Sequence, residues 1–289
     1  MDVFYDIETR MEKIRAIFQY GMSVSIDEKD MNLLESALKL TENEFRSIAY
    51  EAAAMQLASK DISINQSFDH WRLFMQGPGV KHLTQAHIGL GWAMAQQQFP
   101  VFPFIETLES LMQCRVIDGY GYYEGIFRKR RSIGEQQIPL ALENRFLHAY
   151  DQGLGRSIWY ICKGSCEKIK EMVEPFPTSR HKDLWRGIGT ACAYVGGFDE
   201  NLLTQLTTSS GGNHKQLSIG AALVSRSRTE AGSFTRYIDM ACRVWSNCTG
   251  EEAFNITVKT EPLLSEKIVD PCKAWIMNIE DAIVEIKVL

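Results

Sequence analysis

Several of the usual signposts are missing from this 289-residue chain. It has no P-loop, no Gly-x-Ser-x-Gly elbow, no His-Glu-x-x-His pair and no aspartate-rich magnesium motif, so no familiar cofactor or hydrolase chemistry is written in it. Its seven cysteines, at 114, 162, 166, 192, 242, 248 and 272, are odd in number and include no Cys-x-x-Cys pair. Neither a disulfide framework nor a zinc site is therefore expected, and a reducing cytoplasm fits best. Cys162 and Cys166, four apart, would share a helix face, but burial is the plainer reading of both. Positive charge is not in excess: the formal net charge is -5, which gives no reason to expect nucleic acid. The one basic run, Arg128-Lys129-Arg130-Arg131, reads as a solvated helix end or loop. No apolar run reaches membrane-spanning length, and Met1 to Asp6 lacks the basic-then-apolar layout of a signal peptide. The expectation is a cytoplasmic protein with no membrane span. Strand signals are scarce, with Phe254 to Val258 the one stretch that reads as extended.

What the chain does have is a recurring phrase. Gly-x-Gly followed by small or aromatic residues occurs at Gly89-Leu90-Gly91-Trp92, Gly153-Leu154-Gly155-Arg156 and Gly187-Ile188-Gly189-Thr190, with a weaker copy at Ile219-Gly220-Ala221-Ala222. The last three copies start 34 and 32 residues apart, a spacing typical of stacked helix pairs. A glycine inside a helix costs about 1 kcal/mol relative to alanine, so the repeated pair implies close approach of a neighbouring helix or of a ligand. A nucleotide loop would require a strand before the glycines, and none is read there.

Apolar spacing of three and four marks helices over Ile7 to Phe18, Met31 to Leu40, Leu83 to Met94, Ile105 to Cys114, Leu140 to Cys162 and Ala274 to Val288. Thr41 is a plausible cap for a helix running to about Leu57, and Ser179 and Asp199 for two later ones. Gly77-Pro78-Gly79 is a break, and Asp118-Gly119-Tyr120-Gly121 predicts a bend. The fold class is all-α: tandem helical hairpins, tetratricopeptide-like or a related α–α superhelix or bundle. One domain spans 1–289, with repeats clearest over 83–230. Boundaries elsewhere would fall at Gly77 to Gly79 or Ser132 to Pro139.

Candidate chemistry sits close to these glycines. Tyr-Glu precedes a small residue twice, at Glu51 and Glu124, and two carboxyls facing one centre could share acid and base work if burial separates their pKa values. The plainer reading has each glutamate bridging helices. Asp151 and Arg156 flank Gly153 and Gly155, and either bind a polar ligand group or pair structurally. His82 and His87, five apart, are poorly spaced as joint metal ligands, which leaves His87 as a single acid–base group or a hydrogen-bonded core histidine. Trp92, Tyr123, Trp159 and Trp185 would line an apolar pocket, with Gly155 and Gly189 making room, unless they simply build the core.

Several stretches also occur in order: Tyr50 to Met55, His87 to Ala93, Asp118 to Gly125, Tyr150 to Ser157 and Asp183 to Tyr194. In these the chain resembles an uncharacterised bacterial family encoded beside enediyne polyketide synthases and in other natural-product gene clusters. The resemblance covers about 45 to 230 and implies a setting, the making or modifying of a hydrophobic secondary metabolite, without supplying a reaction. Together the residues and the setting point to a cofactor-independent enzyme that isomerises or cyclises a polyene-like polyketide or isoprenoid chain. Glu51, Glu124, Asp151 or His87 would move protons, Arg156 would hold an anionic end, and no metal is expected. The alternative is a non-catalytic helical-repeat scaffold for a synthase, a carrier protein or a hydrophobic intermediate.

Overall fold

The computed structural model describes residues 6–26, 30–64, 66–139, 142, 145–261 and 268–286, with side chains to 283. Among them the fold is all-α, with no strand. The helices are α1 (Ile7–Ser25), α2 (Met31–Leu38), α3 (Arg46–Ile64), α4 (Asp69–Gln76), α5 (Leu83–Gln96), α6 (Phe102–Ile105), α7 (Ser110–Phe127), α8 (Leu147–Cys162), α9 (Cys166–Val173), α10 (Thr178–Val195), α11 (Glu200–Ser210), α12 (His214–Glu230), α13 (Arg236–Ser246), α14 (Gly250–Thr260) and α15 (Pro271–Ile286). None is long and apolar enough to cross a membrane.

Six long helices, α3, α5, α7, α8, α10 and α12, pack side by side in chain order. They run the same way: Cys114, Asp118 and Gly125 of α7 lie beside His148, Gln152 and Ser157 of α8. Shorter helices on the outside return the chain between most of them. The row curls until its ends meet, because Arg228 at the end of α12 bonds the Glu44 carbonyl just before α3, and Asn43 bonds that of Gly232. The result is one superhelical turn of parallel helices, a toroid in which the end of the last helix meets the start of the first. α1 lies against α3 and across the C-terminal ends of α8 and α10, with Phe18 on Trp92 and Arg10 bonded to the Val195 carbonyl. α15 covers the N-terminal ends of α7 and α12.

The Gly-x-Gly phrase is what lets neighbours touch. Residues two apart on a helix point about 200° apart, so the two glycines of a phrase face opposite neighbours. In α8 a Cβ on Gly153 would lie 2.1 Å from the Asp118 carbonyl of the preceding helix, and one on Gly155 would lie 2.0 Å from the Leu184 carbonyl of the following one. Gly119 and Gly121 make the same pair of contacts in α7, where the predicted bend proves to be unbroken helix. Of the two returns the glycines implied, the structure selects the helix. Backbone carbonyls receive Cα–H groups at each contact, worth about 0.5–1 kcal/mol apiece, which offsets the low helix propensity of glycine.

Local chemistry accounts for most element ends. Asp199 caps α11 as expected, accepting from the Leu202 amide at 2.9 Å. Thr41 instead turns back to the Leu38 carbonyl at 2.6 Å, and a 3₁₀ turn, Asn43–Phe45, leads into α3. Ser179 lies inside α10, which starts directly after Pro177. Cys162 and Cys166 fall on two helices, separated by a left-handed Lys163. The stretch read as extended, Phe254 to Val258, belongs to α14, whose start is fixed by a reciprocal Thr249–Glu252 capping box. Tertiary burial of Ala253, Ile256 and Thr257 outweighs the β-branched composition there.

Candidate functional site

The residue just before three of the Gly-x-Gly pairs, Gly119-x-Gly121, Gly153-x-Gly155 and Gly187-x-Gly189, bonds its counterpart one repeat away. Gln152 donates its side-chain amide N–H to the Asp118 carboxylate at 2.6 Å, and Arg186 donates to the Gln152 side-chain amide oxygen at 2.6 Å. Both pairs are 34 residues apart. Arg186 continues to Gln216 at 3.1 Å, and Gln216 to Glu280 on α15 at 3.1 Å. The second Asp118 oxygen accepts from Arg156 at 2.5 Å. Buried polar groups of this kind persist only when each finds a partner, and here the partners come from successive helices.

Glu51, which stands in the same register on α3, departs from that rule. It is 4 % exposed and has no hydrogen bond among the described residues. Burial raises its pKa to about 7, even though nearby Arg156 opposes the shift, with Asp118 adding to it. Arg156 stays a firm cation: burial works against its charge, but Asp118 and Glu51 outweigh that. Tyr122, Tyr160 and Tyr194 complete the surroundings, each with its phenol pushed up by burial. Arg156 lies over the Tyr122 ring at 4.8 Å. Beside this group a narrow cavity of about 30 Å³, lined by Thr84, Asp118, Arg156, Tyr160, Tyr194 and Ser227 among others, has room for about one water molecule.

The remaining expected residues are spread out. Glu124 is fully buried at the end of α7, clamped by Arg128 and by Arg131 at 3.5 Å, so two arginines of the basic run are tied inward. Glu51 and Glu124 do not face a common centre through any shared partner: Glu51 answers to Arg156, Glu124 to its own helix end. Asp151 forms a two-pronged pair with Arg180, at 2.5 and 2.9 Å; burial lifts its pKa to about 6 while Arg180 holds it down. His87 is a core histidine. It bonds the Leu83 carbonyl at 2.8 Å, sits edge-on to Trp71, and burial lowers its pKa to about 4, which leaves it neutral and turned towards the outer layer. Trp92 stacks against Phe18 and Tyr122, and Tyr123 against Phe127. Trp159 and Trp185 are buried in the general core, and Gly155 and Gly189 touch backbone rather than open space. The structure therefore gathers Glu51 and Arg156 from the expected set, and adds Asp118, Gln152 and Arg186, which spacing alone did not single out. The signal was present: each of these three immediately precedes a Gly-x-Gly.

A second polar region lies at the N-terminal ends of α8, α10 and α12. A cavity of about 270 Å³ there is lined by Arg145, His148, Asp151, Arg180, Arg186 and Asp270, among others. Next to it the donor atoms of Cys114, His148 and Cys272 lie within 4.8 Å of one another. His148 Nε2 is 4.0 Å from Cys114 Sγ, and its Nδ1 is 3.5 Å from the Asp270 carboxylate. Of the two thiols, Cys114 is pushed up by burial, whereas a hydrogen bond with Cys114, together with His148 beside it, pulls Cys272 down.

The chain belongs to the DUF1702 family: the model of that family, described as a protein of unknown function, matches residues 4–283. No curated protein and no solved structure matches the chain.

Proposed function

We propose, for this member of the DUF1702 family, a proton-moving enzyme of isomerase or cyclase type, acting on a hydrophobic polyene-like metabolite in the heart of the toroid. Glu51 gives or takes the proton, and Arg156, already held by Asp118, anchors an anionic end of the substrate. The observation that carries this reading is the setting of Glu51: a carboxyl on a residue only 4 % exposed, its pKa brought to about 7 by burial, beside a cation and three phenols. A group whose pKa matches the ambient pH is the best placed for general acid–base work. The neighbouring cavity holds about 30 Å³, so substrate entry is coupled to opening of the core between α5, α7, α8, α10 and α12, whose side chains line it. The natural-product setting comes from the resemblance in the Gly-x-Gly stretches. Glu51→Gln in the native host, with the metabolites profiled and folding checked by thermal melt, tests the reading: loss of product or build-up of a precursor is expected, and unchanged output from a folded variant rules Glu51 out.

One observation favours the second reading, a non-catalytic scaffold for a synthase or carrier protein. Glu124 and Asp151 are both tied to arginines, as bridging groups between helices would be. In that case the Glu51 variant leaves the metabolites unchanged, while variants that break the toroid abolish them.

A further inference from the structure

We propose that Cys114, His148 and Cys272 bind one zinc ion at the N-terminal end of the toroid. The three come from α7, α8 and α15, so their convergence is a product of the fold and not of chain proximity. Two thiols and an imidazole form a donor set suited to zinc rather than to magnesium or calcium, which take oxygen ligands. Tetrahedral zinc with bonds of about 2.3 Å to sulfur and about 2.0 Å to nitrogen places its donors roughly 3.6–3.8 Å apart. The donors here are all within 4.8 Å, and the Cys114–His148 separation is 4.0 Å, so a contraction of a few tenths of an ångström closes the site on that side. His148 presents Nε2 towards the sulfurs and Nδ1 towards Asp270. A carboxylate behind a ligating histidine fixes the ring's orientation and raises its basicity, the usual outer partner of a zinc-bound imidazole. Three protein ligands leave a fourth position for water or a ligand oxygen. His148 and Asp270 also line the 270 Å³ cavity, which makes that cavity the route by which the fourth ligand arrives.

The site is separate from Glu51, so its test stands apart from the acid–base reading. Full-length protein purified with reductant, dialysed against zinc sulfate and then gel-filtered is analysed for metal and for free thiols. About one zinc per chain is expected, and cobalt-loaded protein should show a thiolate-to-cobalt charge-transfer band. Cys114→Ser, Cys272→Ser and His148→Gln lose the stoichiometric metal. Asp270→Asn keeps it with affinity weakened about 10- to 100-fold. Glu51→Gln retains the metal in full. Zinc well below one per chain in protein with both thiols reduced overturns the proposal, as does a Cys114–Cys272 disulfide in place of metal or a folded ligand variant that keeps one zinc. The cobalt spectrum of the wild-type chain decides the matter even where a variant fails to fold.

Discussion

Gly153→Ala tests the packing logic of the whole toroid. In an exposed helix the change would stabilise by about 1 kcal/mol, through helix propensity alone. Here the new methyl would meet the Asp118 carbonyl at 2.1 Å and the Tyr122 amide at 2.7 Å, both backbone atoms that cannot rotate away. Ordinary contact begins near 3.4 Å, so α7 and α8 would have to separate locally by about 1 Å. Overpacking of that kind costs about 1–3 kcal/mol. The displaced segment also carries Asp118, whose bonds to Gln152 and Arg156 would lengthen, and charged hydrogen bonds are worth about 1.5–3 kcal/mol each. Subtracting the propensity gain and counting the loss of one such bond leaves a net cost of about 1.5–5 kcal/mol, a large part of the roughly 5–15 kcal/mol that holds a domain folded. Urea unfolding read as a fall in midpoint at constant slope measures it. Gly212→Ala is the control: nothing lies within 4 Å of its Cβ position, so its midpoint should stay within about 0.5 kcal/mol of wild type. A Gly153→Ala protein as stable as wild type, or more so, would refute the claim that backbone contact is why the phrase repeats.

The pH dependence of stability separates Glu51 from its amide variant. Below about 4.5 the carboxyl is protonated folded or unfolded and the two proteins differ little; above it the unfolded chain ionises freely, whereas the folded one keeps its proton to about 7. Wild-type stability relative to Glu51→Gln should therefore fall across that window by up to about 3 kcal/mol and level off beyond it. Urea midpoints at several pH values check this, and a gap that does not change with pH would contradict it. Arg180→Ala strands Asp151 as a buried carboxylate without its two-pronged partner and should cost about 3–5 kcal/mol. Because the stranded group resists ionising, the loss should be larger at pH 8 than at pH 5 by thermal or urea unfolding; a loss under 1 kcal/mol at both would mean that the pair is dispensable.

Two kinds of site follow from one repeat. Stacking equivalent helices places equivalent side chains next to each other, so a polar residue before one glycine pair finds its partner before the next. Asp118, Gln152 and Arg186 satisfy one another in this way. The first helix of the row contributes Glu51, and the helix after it has the apolar Ile88 in the register position. The ladder is interrupted there, and among the described residues Glu51 is left outside it, without a hydrogen bond. A buried carboxyl outside the ladder, at the point where a repeat breaks its own pattern, is a physical consequence of that interruption.

By itself the sequence determined the helical class, through apolar spacing of three and four, and the positions of helix contact, through the paired glycines. Both signals are local: they follow from the geometry of a single helix and the absence of a side chain. It offered Glu51 and Arg156 as site residues, but through the pairs Glu51 with Glu124 and Asp151 with Arg156, not with each other. Tertiary structure alone decided which acids are free. Glu124 and Asp151 look no different from Glu51 in the chain, yet Arg128, Arg131 and Arg180 reach the first two, and among the described residues no cation forms an ion pair with the third. Cys114, His148 and Cys272 were invisible for the same reason. They are 34 and 124 residues apart, and no short spacing rule spans distances that only the closing of the helices into a toroid, and the laying of α15 across its end, can remove.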